Sequence, residues 1–129
     1  MTKQDHIAHW LSTAHEDEIT MNILFKDGRY THCLFFGHLY IEKICKAIWI
    51  KNNIGNTPPY IHNLVRILNG IDVGLSDDQY LFLEILNKYQ LSGRYADYTN
   101  DLKKRTSKEL TMLYIDRVNE LSTCLHKNL

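Results

Sequence analysis

Apolar residues recur along this chain with helical spacing almost from end to end, and no run alternates in the two-residue rhythm of a strand. Ile7, Leu11, Ala14, Glu18, Met21 and Phe25 form a one-sided stripe with an acid set into it, and Asp27-Gly28 ends it. A second helix is predicted from about Arg29 to Lys51. Its stripe is Leu34, His38, Ile41, Cys45 and Ile48, but Phe36, Tyr40, Ile44 and Trp49 lie off it. A helix apolar on several sides is either central in a bundle or also part of a subunit interface. "NNIGNTPP", from Asn52 to Pro59, reads as a loop, and "YIHNLVRILNG" as a short helix that stops at Gly70. "IDVGL" is a turn, and Ser76-Asp77-Asp78 starts a fourth helix, "DQYLFLEILNKYQ", that ends near "LSGRYADYTN". The last helix runs from about Ser107 to Lys127 with Leu110, Leu113, Tyr114, Val118, Leu121 and Leu125 on one side. The pattern predicts an all-α fold, an up-and-down bundle of four or five helices, in a single domain over residues 1–129.

Composition narrows the setting. Apolar residues make up 44% and charged residues 23%, which fits a globular chain and excludes disordered or collagen-like classes. Fifteen Lys and Arg balance fifteen Asp and Glu, so no whole-molecule positive field draws the chain to nucleic acid or a membrane, and any such contact must be local. The first twenty residues have no uninterrupted apolar stretch, so no signal peptide is expected. Two lysines and a glutamate interrupt the most apolar run, so no membrane span is expected either. Cys33 and Cys45 fall on one predicted helix, about 18 Å apart at about 1.5 Å per residue, too far to bridge. With Cys124 as the third cysteine, a reduced, cytoplasmic chain is expected.

The candidate chemistry sits in "FFGHLYIEKICKAIWI", Phe35 to Ile50. His38, Glu42 and Lys46 stand four residues apart in succession, one polar line down an otherwise apolar helix. The line is either a partly solvated edge or the lining of a ligand site, since charges kept among apolar neighbours need partners. Lys43 lies off the line, and Glu18, on the core stripe of the first helix, is expected to reach Lys43 or Lys46 if the two helices pack antiparallel. Metal binding is not expected: His38 and Glu42 can offer two ligands, but no Glu-x-x-His occurs and the cysteines lack zinc-site spacing. No Gly-x-Ser-x-Gly, phosphate-cradling glycine loop or dinucleotide fingerprint is present, so neither a catalytic residue nor a cofactor is assigned. "GRYADY" supplies the planar donor fork of Arg94 and the flat faces of Tyr95 and Tyr98, which suit phosphate or base contacts as well as pinning a loop to the bundle.

The order of these pieces resembles a HEPN domain (the nucleotide-binding domain of higher eukaryotes and prokaryotes), over nearly the whole chain. Trp10, Ala14 and Glu18 match a tryptophan, an alanine and an acid on the family's first helix. "CLFFGHLYIEKICKAIWI" is similar to its phenylalanine-rich helix leading into Glu-Lys and then Lys-Ala. "PPYIHNLVRIL" resembles its proline-rich loop and His-x-Leu helix, and "GRYADY" its Arg-Tyr-Pro-Asp element, with Ala96 in place of the proline.

The resemblance implies a homodimer, often paired with a minimal nucleotidyltransferase in toxin–antitoxin-like systems, that binds a nucleotide or RNA. The matching polar positions are Glu42, Lys43, Lys46, His62, Arg94, Tyr95 and Asp97, with Glu18 as the supporting acid; His38 matches one branch of the family only. Ribonuclease members resemble one another in an arginine followed after four to six residues by a histidine. None of Arg29, Arg66, Arg94, Arg105 or Arg117 has a histidine at that spacing. The expectation is therefore a binding module and not an enzyme. The alternatives are a helical dimer that acts through protein contacts alone, and an unconventional ribonuclease built on His62 or His38 with Arg94.

Overall fold

A computed structural model describes residues 1–92 and 96–129, with side chains described for residues 1–90 and 100–129. Helix α1 spans Lys3–Lys26, α2 Tyr30–Asn52, α3 Leu64–Ile67, α4 Asp77–Ser92, α5 Ala96–Arg105 and α6 Lys108–His126. No strand occurs among the described residues.

A capping box starts α1: the Thr2 hydroxyl accepts the Asp5 N–H at 3.1 Å, and the Asp5 carboxylate accepts the Thr2 N–H at 2.9 Å. The helix stops where Gly28 turns left-handed at φ +76°, as the Asp27-Gly28 pair predicts. The chain then folds back, so α2 lies antiparallel to α1, with Ile7 packed beside Ala47 and Ile50 at one end and Met21 against Gly37 nearer the other. Gly37 is where the backbones come close. A Cβ there would stand 3.3 Å from Met21 Sδ and 3.6 Å from Val118 Cγ2, so a larger residue must push α1 or α6 away. Val118 beside Gly37 and Ser122 beside Tyr40 show α6 running in the same direction as α2, and α4 runs opposite to both. The bundle is thus up-and-down, and α2 packs against every other helix. Its own neighbours account for its apolar character on several sides: Cys33, Leu34, Ile41, Ile44, Cys45 and Ile48 are all fully buried within this one chain.

Two elements differ from the sequence pattern. The helix expected over "YIHNLVRILNG" shrinks to Leu64–Ile67. Pro58 and Pro59 hold the chain extended before it, and Asn63 caps it by accepting the Arg66 N–H at 3.2 Å. In the other direction, α5 forms where a loop is expected. "ADYTNDLKKR" has no apolar stripe, and periodicity cannot find such a helix. Leu102 alone anchors its second half, buried against Leu34 and Tyr89, with an exposed Asp101–Arg105 pair alongside.

The far end of α2 is closed by Lys3. Its ammonium lies within hydrogen-bond reach of five oxygens: Ile50 O (2.9 Å), Asn53 O (2.9 Å), Ile54 O (3.3 Å), Gly55 O (3.2 Å) and Asn56 Oδ1 (2.8 Å). The carbonyls left without partners at a helix C-terminus carry partial negative charge, and a cation there satisfies both needs. Lys3→Met is expected to lower stability by about 1–2 kcal/mol. Hydrogen exchange should show residues 53–56 opening faster. Wild-type melting with unchanged exchange in that loop would show that the cluster does not hold it.

Candidate functional site

The polar line of α2 is drawn into the protein and closed by partners from two other segments. His38 is fully buried, Glu42 is 4% exposed and Lys46 6% exposed. Glu42 Oε2 accepts from Lys46 Nζ at 3.1 Å, the pairing that the four-residue spacing predicts. Glu42 Oε1 accepts from His62 Nδ1 at 3.0 Å. The His62 ring comes from the extended stretch before α3 and is 44% exposed, so it links the buried carboxylate to the surface. Lys46 Nζ also sits 5.5 Å from the centroid of the Trp10 ring, whose negative face attracts the ammonium. One carboxylate thus joins α2 to the 62–64 segment, and one lysine joins it to α1.

His38 turns toward α4. Asn87 Oδ1 accepts the Leu64 N–H at 3.1 Å and faces His38 Nε2 at 3.3 Å, so the ring must donate from Nε2. In the neutral ring Nδ1 is then a bare acceptor, 3.7 Å from Glu42 Oε1 and without a hydrogen bond. Asn87 Nδ2 donates to Asn63 Oδ1 at 3.2 Å, the same oxygen that caps α3. Burial pulls the His38 pKa below its usual value. The Glu42 charge, the Asn87 hydrogen bond and the His62 backbone all oppose that shift, and burial wins. The folded protein therefore keeps His38 neutral where an unfolded chain protonates it. Stability should be full above an unfolded pKa of 6.5 and fall as pH drops below it, levelling off once the folded pKa is passed. Urea melts from pH 7 to pH 5 check this, and His38→Gln should flatten the slope.

Lys43 finds an acid on α1, but it is Asp17 and not Glu18. Asp17 Oδ2 lies 2.7 Å from Lys43 Nζ, a contact of charge more than an aligned hydrogen bond. Ile7, Ala14, Asp17 and Met21 are the residues of α1 that are buried, so the inward face turns past position 18. Glu18 sits at its edge, where it meets His15 Nδ1 at 3.2 Å and comes close enough to the Tyr40 hydroxyl to help raise its pKa. The expected contact of Glu18 with Lys43 or Lys46 is replaced by that of its neighbour.

The structure thus brings His38, Glu42, Lys46 and His62 together and sets Lys43 apart with Asp17. Arg94 and Tyr95 lie outside the described residues, and Asp97 is described only as a position in α5. Two participants were not picked out from sequence. Asp17 is a neighbour of the residue that was, and Asn87 is a polar side chain in the helix "DQYLFLEILNKYQ", four residues after the buried Leu83 and so on its inward side. Two of the thiols are set back from thiolate chemistry: burial pushes Cys33 up to about 12 and raises Cys45 as well. No cluster of three or more His, Cys, Asp or Glu suited to a metal ion occurs among the described residues. No helix among them is long and apolar enough to cross a membrane.

An up-and-down helical bundle is the architecture that the resemblance implies, and the structure adds that the ionic line of its most buried helix is tied to the His62 segment. The chain belongs to the HEPN family: the HEPN domain model matches residues 7–126, nearly its whole length. Among solved structures it is similar to the crystal structure of TT1696 from Thermus thermophilus, with a TM-score of 0.79 and 16% sequence identity, over 95% of this chain and 98% of that one. At that identity the likeness speaks for the fold alone. Comparison with curated proteins finds no match.

Proposed function

We propose that this HEPN protein is a non-catalytic binding module for a nucleotide or RNA phosphate, one domain over residues 1–129 that works as a homodimer in the reducing cytoplasm. Its place is beside a minimal nucleotidyltransferase in a toxin–antitoxin-like pair. The observation that carries the reading is the half-exposed imidazole of His62 held on the buried Glu42–Lys46 pair. Burying an ion pair gains little stability compared with apolar packing, so a fold that needed only packing has no use for one here. Set where a histidine reaches the surface, the pair fixes that ring for contact with a ligand. Arg94, Tyr95 and Asp97 complete the site in this reading. Exposed Ile19 and Ile23, one turn apart on α1, give the dimer an apolar patch, and the free cysteines fit a reducing setting.

Calorimetric titration with ATP, GTP and a short RNA, with and without Mg²⁺, tests the proposal. Binding that falls about tenfold or more in His62→Ala, in a protein that stays dimeric by light scattering, supports it. No binding by any of them, or a monomer, removes it.

A second reading has its own support. Glu42, Lys46, Asn87 and Asn63 all find partners inside the chain, so the line also serves as a cross-link between helices. If that is its whole role, the protein acts through contacts with other proteins, and His62→Ala changes stability without changing any affinity.

A further inference from the structure

The second long helix begins without a cap. No side chain bonds to the first turn of α2, and no acid lies in it. The first intrahelical bond runs from Cys33 N–H to Arg29 O at 2.8 Å, so the N–H groups of Tyr30, Thr31 and His32 have no acceptor within the helix. These three residues line a cavity of about 400 Å³, walled on one side by Asp27, Gly28 and Arg29 and on the other by Lys103 and Thr106 of the α5 end.

A bare helix start does not make a site, but Thr31 adds a second observation. It is only 6% exposed and lines the cavity, and its hydroxyl makes no hydrogen bond among the described residues. A polar side chain buried to that degree normally has a partner. Its oxygen is not among the fully buried unpaired atoms, so it meets solvent, and the cavity that the residue lines is the open space beside it. The charges agree with an anionic occupant. Arg29 and Lys103 bring two cations, and among the described residues Asp27 is the one acid on the wall. Asp27 engages Arg29 through Nε at 3.1 Å, and among the described residues the other guanidinium nitrogens have no acceptor. Thr106 takes no part in recognition, since its hydroxyl already bonds Leu102 O and the Tyr89 hydroxyl.

We infer that this cavity is a phosphate-binding site in which the N–H groups at the start of α2 and the Thr31 hydroxyl hold the anion, with Arg29 and Lys103 supplying its countercharge. The helix dipole adds to the field at the same point. The site lies about 16 Å along α2 from Glu42, at about 1.5 Å per residue. It is separate from the His62 site and does not depend on the reading of that site. Its volume admits more than one phosphate, so the group is either free or the terminal phosphate of a mononucleotide.

Nitrogen-15 spectra of the full chain, titrated with inorganic phosphate and with AMP, test this directly. Saturable shifts at the amides of Tyr30, Thr31 and His32 are expected. Thr31→Val, which removes no internal hydrogen bond, and Lys103→Ala, on an exposed side chain, should each weaken binding about tenfold. AMP about tenfold tighter than phosphate would assign the site to a nucleotide, and equal affinities would assign it to the free anion. His62→Ala should change nothing here. No shift at these amides with either probe overturns the site. So do unchanged affinities in both variants, or loss of the shifts in His62→Ala, which would tie the anion to the His62 site.

Discussion

Glu42→Ala is expected to lower the free energy of unfolding by about 3–5 kcal/mol, because it leaves the Lys46 ammonium buried without its carboxylate. At this chain length that corresponds to a fall in melting temperature on the order of 10–20 °C. The cost comes from desolvation. Lys46 is 6% exposed, and once Glu42 is gone the Trp10 face is, among the described residues, the remaining contact near its charge. A cation–π contact of about 1–2 kcal/mol cannot replace a carboxylate in that surround. His62 loses its acceptor too, but at 44% exposure water takes over most of that bond.

The double variant Glu42→Leu/Lys46→Met separates the pair's worth from the penalty of breaking it. Apolar residues of similar size in place of a buried ion pair are commonly neutral or stabilising. The double variant should therefore melt close to wild type, well above Glu42→Ala. Chemical denaturation of the three proteins side by side is the measurement. If Glu42→Ala stays within about 1 kcal/mol of wild type, Lys46 reaches water and the line is not a buried one. A stable double variant also becomes the cleanest reagent for function, since it keeps the fold and removes the charges. Loss of nucleotide or RNA binding in that protein ties the ligand to the line, and retention of binding leaves the line as a cross-link.

How much of this was legible in the sequence follows from what each feature rests on. The long helices were legible because burying one face imposes a 3.6-residue rhythm, and α1, α2, α4 and α6 all carry it. Their up-and-down order and the HEPN resemblance came from the same residues, and the family match over residues 7–126 bears them out. α5 was not legible, because its sequence writes no apolar stripe, and among its described side chains Leu102 is the buried one. The Glu42–Lys46 pair could be read from a local spacing, since four residues along a helix fix the neighbour whatever the fold. Contacts across the bundle are of another kind. Asp17 and Glu18 differ by a rotation of about 100° around α1, and a stripe read by eye does not resolve which of the two faces Lys43. Asn87 is forty-nine residues from His38 in the chain, and only packing brings them together.

That distant pair yields the second large effect. Asn87→Leu should cost about 2–4 kcal/mol, because one oxygen serves both the Leu64 N–H and His38 Nε2, and leucine leaves two donors without an acceptor. The loss is more than two bonds. Asn87 also holds Asn63, which caps α3, so the substitution should loosen the short helix and the His62 segment before it. Asn87→Asp tests the assignment of the oxygen. A carboxylate still accepts from both donors, so much of the stability should return. It also puts a negative charge 3.3 Å from the position of a buried imidazole that burial otherwise keeps neutral. A charge there favours protonated His38 and raises its folded pKa toward or past 6.5. By linkage, the stability that wild type loses as pH falls below 6.5 should shrink in Asn87→Asp, and the gap between the two proteins should narrow toward pH 5. Urea melts at pH 7 and pH 5 on wild type, Asn87→Leu and Asn87→Asp decide it. A leucine variant as stable as wild type, or an aspartate variant with the wild-type pH slope, would mean that Asn87 does not hold His38, and that α4 is tied to the polar line by apolar packing alone.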